Sequence, residues 1–381
     1  MNRLSGFRGH RTVGKRAARL MFGVATASAL VLGTAGTGAG AAAADTVIDT
    51  IPVGDGPLGV ALTPDGSRAY VTNAAADSVS VINTVTNTVV DTVPVGDFPR
   101  GVAVTPGGSH VYVANYGDDT VSVIETAGNT MVETVDIGNG PAGVVVSPGG
   151  SHVYVANHLD DSVSVIETAG NTVVDTVDVG DSPFGVAVSP NGASVYVANH
   201  FDASVSVIET AGNTVVDTVS TGNGPYGVAV SPDGASLYVA NFSADSVSVI
   251  ETAGNTVVET VAVGDGPVGV GVNPLGSHVY ATNSSGDSVS VIETADNTVV
   301  ETVPTEDNPF GVAVSPDGSR VYVANLADDS VSVIAVEKCF GSLCIDSGLL
   351  VGGGSTGSGG AGSLVVGGSF AGAGSAGSAG S

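Results

Sequence analysis

The sequence runs to 381 residues and sets 37 acidic side chains against ten basic ones, a formal charge of −27. So negative a surface repels polyanions, which excludes nucleic acid and anionic lipid as partners, because both need clustered Lys and Arg. The only cysteines, Cys339 and Cys344, have no His nearby and no Cys-x-x-Cys spacing, which excludes zinc-finger, thiol-redox and c-type haem chemistry.

The first element is residues 1–44. All six of its charges are basic (Arg3, Arg8, Arg11, Lys15, Arg16, Arg19), an apolar stretch covers 20–32, and the segment ends Ala41-Ala42-Ala43-Ala44. That order predicts a secretory signal peptide and a secreted or cell-surface protein. A permanent anchor is the alternative, but the apolar stretch is short and interrupted by glycine. After cleavage near Ala44, no segment is left to insert into a membrane. The mature chain keeps four basic residues (Arg68, Arg100, Arg320, Lys338) and all 37 acidic ones, a formal charge of −33.

Strand-forming sequence begins at Asp45-Thr46-Val47-Ile48-Asp49-Thr50-Ile51 and then repeats. Tyr70, Tyr112, Tyr154, Tyr196, Tyr238, Tyr280 and Tyr322 stand 42 residues apart, each opening the phrase Tyr-Val/Ala-Ala/Thr-Asn. Each copy holds four alternating runs, which in the second copy are 101–105 (A), 110–115 (B), 120–125 (C) and 129–135 (D). Gly and Asn mark tight A–B and C–D turns. Four short strands at a period near 40 predict an all-β fold, a seven-bladed β-propeller with four antiparallel strands per blade. The seventh copy stops after its third run, at 330–336, and residues 45–51 match the missing D run. The N-terminal strand is therefore expected to complete the last blade, so that the propeller spans 45–338 and leaves no open edge. Residues 339–381 are rich in Gly, Ser and Ala and read as a flexible tail. At its start, Cys339 and Cys344 are expected to pair as a disulfide in an exported protein.

The Tyr-Val-Thr/Ala-Asn phrase, with Ser-Pro-Asp-Gly-Ser and Ser-Val-Ser-Val-Ile, resembles the YVTN-family propeller repeat across residues 45–338. The resemblance implies an exported or surface-layer-like propeller. Looser relatives of that family are lactonase-type and lyase-type propellers, which place a metal or a His base at the channel mouth. Fold alone does not choose among these chemistries.

Near-identical copies act as an internal control on function. The aromatics outside the repeat tyrosines, signal and tail are Phe98, Tyr116, Phe184, Phe201, Tyr226, Phe242 and Phe310. All fall in D–A or B–C connections, which emerge on one face of an up-and-down blade. Arg100, His158 and His200 share that face. Copies one and six carry Leu58, Ala74, Val268 and Ser284 instead, so the aromatics form a one-sided arc. Aromatics beside Arg and His suit a recognition surface for a protein or an envelope glycan. Rings that merely fill the channel mouth are the competing reading. If the arc binds, removing Tyr116 and Phe242 should abolish capture and leave melting nearly unchanged.

Catalysis has weaker support. The B–C connections carry Asp77, Asp118, Asp119, Asp160, Asp161, Asp202, Asp245, Asp287, Asp328 and Asp329. Carboxylates recurring in every blade suit turn formation against their own backbone better than calcium or acid–base work. His158 and His200 share one repeat slot on neighbouring blades and are the best base or metal candidates. No metal or cofactor is expected, with a divalent cation as the one weak possibility. The sequence thus favours a non-enzymatic binding propeller, with a hydrolase or lyase at the channel mouth and a structural surface-layer component as alternatives. It leaves the oligomeric state open.

Overall fold

A computed structural model describes residues 44–340 and 343–345. The signal segment and most of the tail lie outside them. Seven four-stranded antiparallel sheets form the blades of a propeller with almost no helix. Blade 1 comprises Pro57–Leu62, Arg68–Asn73, Ser78–Asn83 and Thr88–Pro94. Blades 2 to 6 repeat it every 42 residues. Blade 7 is Pro309–Val314, Arg320–Asn325 and Ser330–Ala335, completed by the N-terminal strand Thr46–Pro52. That strand pairs antiparallel with Ser330–Ala335, so blade 7 closes as the offset of the repeat predicts.

The core lies between blades. Tyr70 packs with Val79, Val81 and Val93 of its own blade and with Val111, Val113 and Ile124 of the next. Its hydroxyl donates to Asn129 Oδ1 of the next blade at 3.1 Å, and Tyr112 does the same to Asn171 at 2.8 Å. Each repeat tyrosine therefore fills an interblade space, and Tyr70 and Tyr112 also satisfy their polar tips there. Strands B and C are buried on both faces, and this includes the serines of Ser-Val-Ser-Val-Ile. The repeat asparagine explains how serine is tolerated there. Asn73 Nδ2 donates to Ser78 Oγ and Ser80 Oγ at 3.1 and 3.0 Å, and the pattern recurs in every blade.

The A strands converge on a central channel. Pairing between A and B breaks after the proline, so that Pro141 faces Asn157 and regular pairing resumes only at Val144. The two residues between, Ala142 and Gly143, are freed to line the channel. Gly143 is required by close approach, because a Cβ there would collide with the Phe184 carbonyl of the next blade. Gly311 meets the Leu58 carbonyl in the same way, which carries the ring from blade 7 back to blade 1.

Past the ring, Lys338–Phe340 pairs with Leu343–Ile345 and sets Cys339 opposite Cys344. A short hairpin thus stands where composition alone suggests that the flexible tail begins.

Candidate functional site

The break in strand A gives each blade one side chain at the channel mouth, directly after the proline. These are Leu58, Arg100, Ala142, Phe184, Tyr226, Val268 and Phe310. A second circle comes from the residue after each repeat asparagine: Ala74, Tyr116, His158, His200, Phe242, Ser284 and Leu326. Each is anchored through its backbone to the D–A loop, as where Tyr116 N–H donates to the Phe98 carbonyl and His158 N–H to that of Gly140.

The two circles interlock as stacked rings. Phe184 lies between His158 and Tyr226, with both centroid separations 4.2 Å and both pairs stacked. Tyr226 meets Phe310 edge-on at 5.4 Å, and His200 meets Phe184 and Phe201 edge-on at 5.5 and 5.2 Å. Tyr116 joins His158 to Phe98 at 6.0 and 6.1 Å. Arg100 reaches across the mouth. Its guanidinium carbon lies 5.0 Å from the centroids of both Tyr116 and Phe184, and its Nη2 donates to Tyr226 Oη at 2.7 Å. Among the described residues no carboxylate hydrogen-bonds to this cation.

The sequence-predicted residues therefore come together, though in two roles. Phe184, Tyr226 and Phe310 are half-buried and floor the mouth above a narrow, mostly apolar channel of about 160 Å³. Phe98, Phe201 and Phe242 stand on the rim, 44%, 74% and 37% exposed. Between floor and rim lies a cavity of about 360 Å³, to which Val268, Ser284, Asn308 and Leu326 also contribute. Those four escape a search for aromatics. The signal that finds them is their repeat slot, since Leu326 and Ser284 sit where His158 and His200 do.

Phe98 is held at φ 51°, in the left-handed region where four of the seven copies place glycine. A bulky side chain there costs on the order of 1 kcal/mol. Phe98→Gly is therefore expected to raise the melting temperature while weakening capture through this face. A fall in melting temperature would mean that the ring is there for packing.

The loop aspartates are already engaged. Asp77, Asp119, Asp161, Asp245, Asp287 and Asp329 adopt positive φ. Their Oδ1 atoms accept from the D–A amides of Phe98, Gly140, Ser182, Gly266, Asn308 and Gly56 at 2.8–2.9 Å. Asp118, Asp160, Asp202 and Asp328 cap the amides of Asp97, Asn139, Asp181 and Asp307. The structural reading of these carboxylates stands, but their partner is the neighbouring loop rather than their own backbone. Among the described residues no group of three or more His, Cys, Asp or Glu is placed to hold a metal. His158 Nδ1 is buried and accepts or donates no hydrogen bond. Burial, with Arg100 and His200 adding to it, lowers the His158 pKa and so favours the neutral ring.

Residues 45–334 match the sequence profile of the virginiamycin B lyase family. The chain belongs to the virginiamycin B lyase family. A solved chain titled Kuenenia stuttgartiensis hydrazine synthase is similar at 26% identity, with a TM-score of 0.69 over 74% of this chain and 96% of that one. No curated protein matches the chain in sequence.

Proposed function

We propose that this family member is a binding propeller whose aromatic cup receives an apolar side chain from a protein partner on the cell envelope. The arrangement of the cup carries the reading. Its rings appear only where the repeat varies, and in blades 1 and 6 the aliphatic Leu58 and Val268 are buried in the same slots. Rigid rings on the rim give contact area at low entropic cost, and Arg100 places a cation beside them for an acceptor on the partner. A glycan suits the site less well, because the loop aspartates that would take sugar hydroxyls already accept from loop amides. The test is a pull-down from envelope extract with the mature domain beside its Phe201→Ala, Phe242→Ala variant, with retention by the parent alone as the supporting result.

A second reading rests on family membership and on His158, whose ring stacks on Phe184 and whose buried Nδ1 has no hydrogen-bond partner. In that reading His158 is the base of an elimination. Turnover of virginiamycin B, lost in His158→Gln, would establish it in place of the binding reading.

A further inference from the structure

The junction between blades 6 and 7 differs from the other six. At each of those, an asparagine in the C–D turn donates its Nδ2 to the acidic residue on the outer strand of the preceding blade. The pairs are Asn87 to Asp49, Asn129 to Asp91, Asn171 to Glu133, Asn213 to Asp175, Asn255 to Asp217 and Asn297 to Glu259, at 2.6–3.0 Å. The neutral amide bridges two blades without adding charge.

At the seventh junction the acceptor is Glu301, and the residue in the asparagine slot is Asp45, 42 positions before Asn87. A carboxylate cannot donate to a carboxylate. The donor is instead the main-chain nitrogen of Asp45, 3.0 Å from Glu301 Oε2. The Asp45 carboxylate accepts from Glu337 N–H at 2.9 Å and Tyr280 Oη at 3.3 Å. His278 also faces Asp45, and Glu337 faces Glu301. Three carboxylates thus meet at one seam, where every other seam has a neutral amide. Burial raises the pKa values of both Asp45 and Glu301, and at Glu301 the neighbouring charges of Asp45 and Glu337 raise it further.

The position of that nitrogen in the sequence supplies the missing cation. It belongs to the residue directly after Ala41-Ala42-Ala43-Ala44, the small-residue end of the signal-like segment. We infer that hydrolysis of the Ala44–Asp45 peptide bond is a maturation step of this propeller, and that the α-ammonium it creates docks on Glu301 and seals the blade 6–blade 7 seam. Water adds across the amide. Ala44 leaves as a carboxylate with the upstream segment, and the Asp45 nitrogen takes up protons to become the ammonium. The protease is of the signal-peptide-removing class. The product replaces a neutral donor by a charged one, which strengthens the bond to a partly buried carboxylate.

The linkage has a definite sign. An ammonium held by Glu301 has a folded pKa above its unfolded value of about 8. Its contribution is fully present below that value and is lost as pH rises through the folded pKa. Tyr280 is pushed far above this window by burial and by Asp45. His278, Glu301, Glu337 and the Asp45 side chain are common to the forms compared, so the difference between those forms isolates the ammonium.

Two measurements test the proposal. The first is N-terminal sequencing of the exported protein, expected to begin at Asp45; a start at any other residue overturns the assigned bond. The second compares thermal melting, from pH 6.5 to 10, of a chain beginning at Asp45 with one beginning at Ala42, each released from a fusion without residual residues. Both keep the whole closing strand, so neither puts the fold at risk. The Asp45 form should melt about 3 °C higher at pH 7, with the advantage gone by about pH 10 and absent throughout in Glu301→Gln. Equal melting at pH 7, or an advantage that pH and Glu301→Gln leave unchanged, overturns the docked ammonium.

Discussion

A chain lacking residues 45–53 is expected to melt roughly 10 °C below the complete propeller. Deletion removes the outer strand of blade 7 and leaves Ser330–Ala335 as an unpaired edge. It also removes Ile51, which is 3% exposed and packs with Tyr322, Val331 and Val333 of blade 7 and Val60, Val71 and Ile82 of blade 1. Val47, against the blade 6–blade 7 cluster, is lost with it. Losing one buried isoleucine costs about 2–5 kcal/mol, and the strand adds its hydrogen bonds. The total is a large part of the 5–15 kcal/mol typical of a whole domain. Because the ring is covalently open at this one place, the loss has no local repair. Appending the same nine residues after Val336 through a short turn should restore most of the melting temperature, since strand identity matters here and chain order does not. Unchanged melting after deletion would show that the blade does not close this way.

Replacing Phe201 and Phe242 by alanine is expected to weaken partner capture by about a thousandfold, from about 2 kcal/mol at each of two rim anchors. The melting temperature should move by no more than a degree or two, because both rings are on the exposed rim. Tyr116 is a poorer choice for this test than its sequence position suggests. It is clamped by Phe98, His158 and the Arg100 guanidinium, so its removal would loosen the floor of the cup as well as any contact with a partner. Capture that survives loss of both rim phenylalanines would move the binding site elsewhere.

The fold was legible because a 42-residue period leaves little choice, and because the D-like run at 45–51 and the missing D run after 336 are complementary. The face of the arc was legible for the same reason, since connection type determines face in an up-and-down blade. What could not be seen lies in three dimensions. Arg100 and Tyr226 are 126 residues apart and touch only because the channel brings blades 2 and 5 within reach. The break in pairing after the proline, which turns Arg100, Phe184, Tyr226 and Phe310 from loop residues into channel lining, has no signature beyond a Pro-x-Gly that also reads as a turn. The serines of strand C look solvent-facing by alternation and are buried, because a propeller covers both faces of its middle strands. The Asp45 substitution was visible in the aligned repeat, but its meaning required the position of Glu301.

Site-specific photocrosslinking in the native host tests the central claim most directly. p-Benzoylphenylalanine placed at position 242 or 201 samples the cup, and at position 85 it samples a 76%-exposed side chain in a C–D turn on the opposite face. A discrete protein adduct is expected from positions 242 and 201 on irradiation of intact cells, and none from position 85. Adducts of equal yield from both faces, adducts only to glycan or to a second copy of this chain, or none from the cup would contradict it.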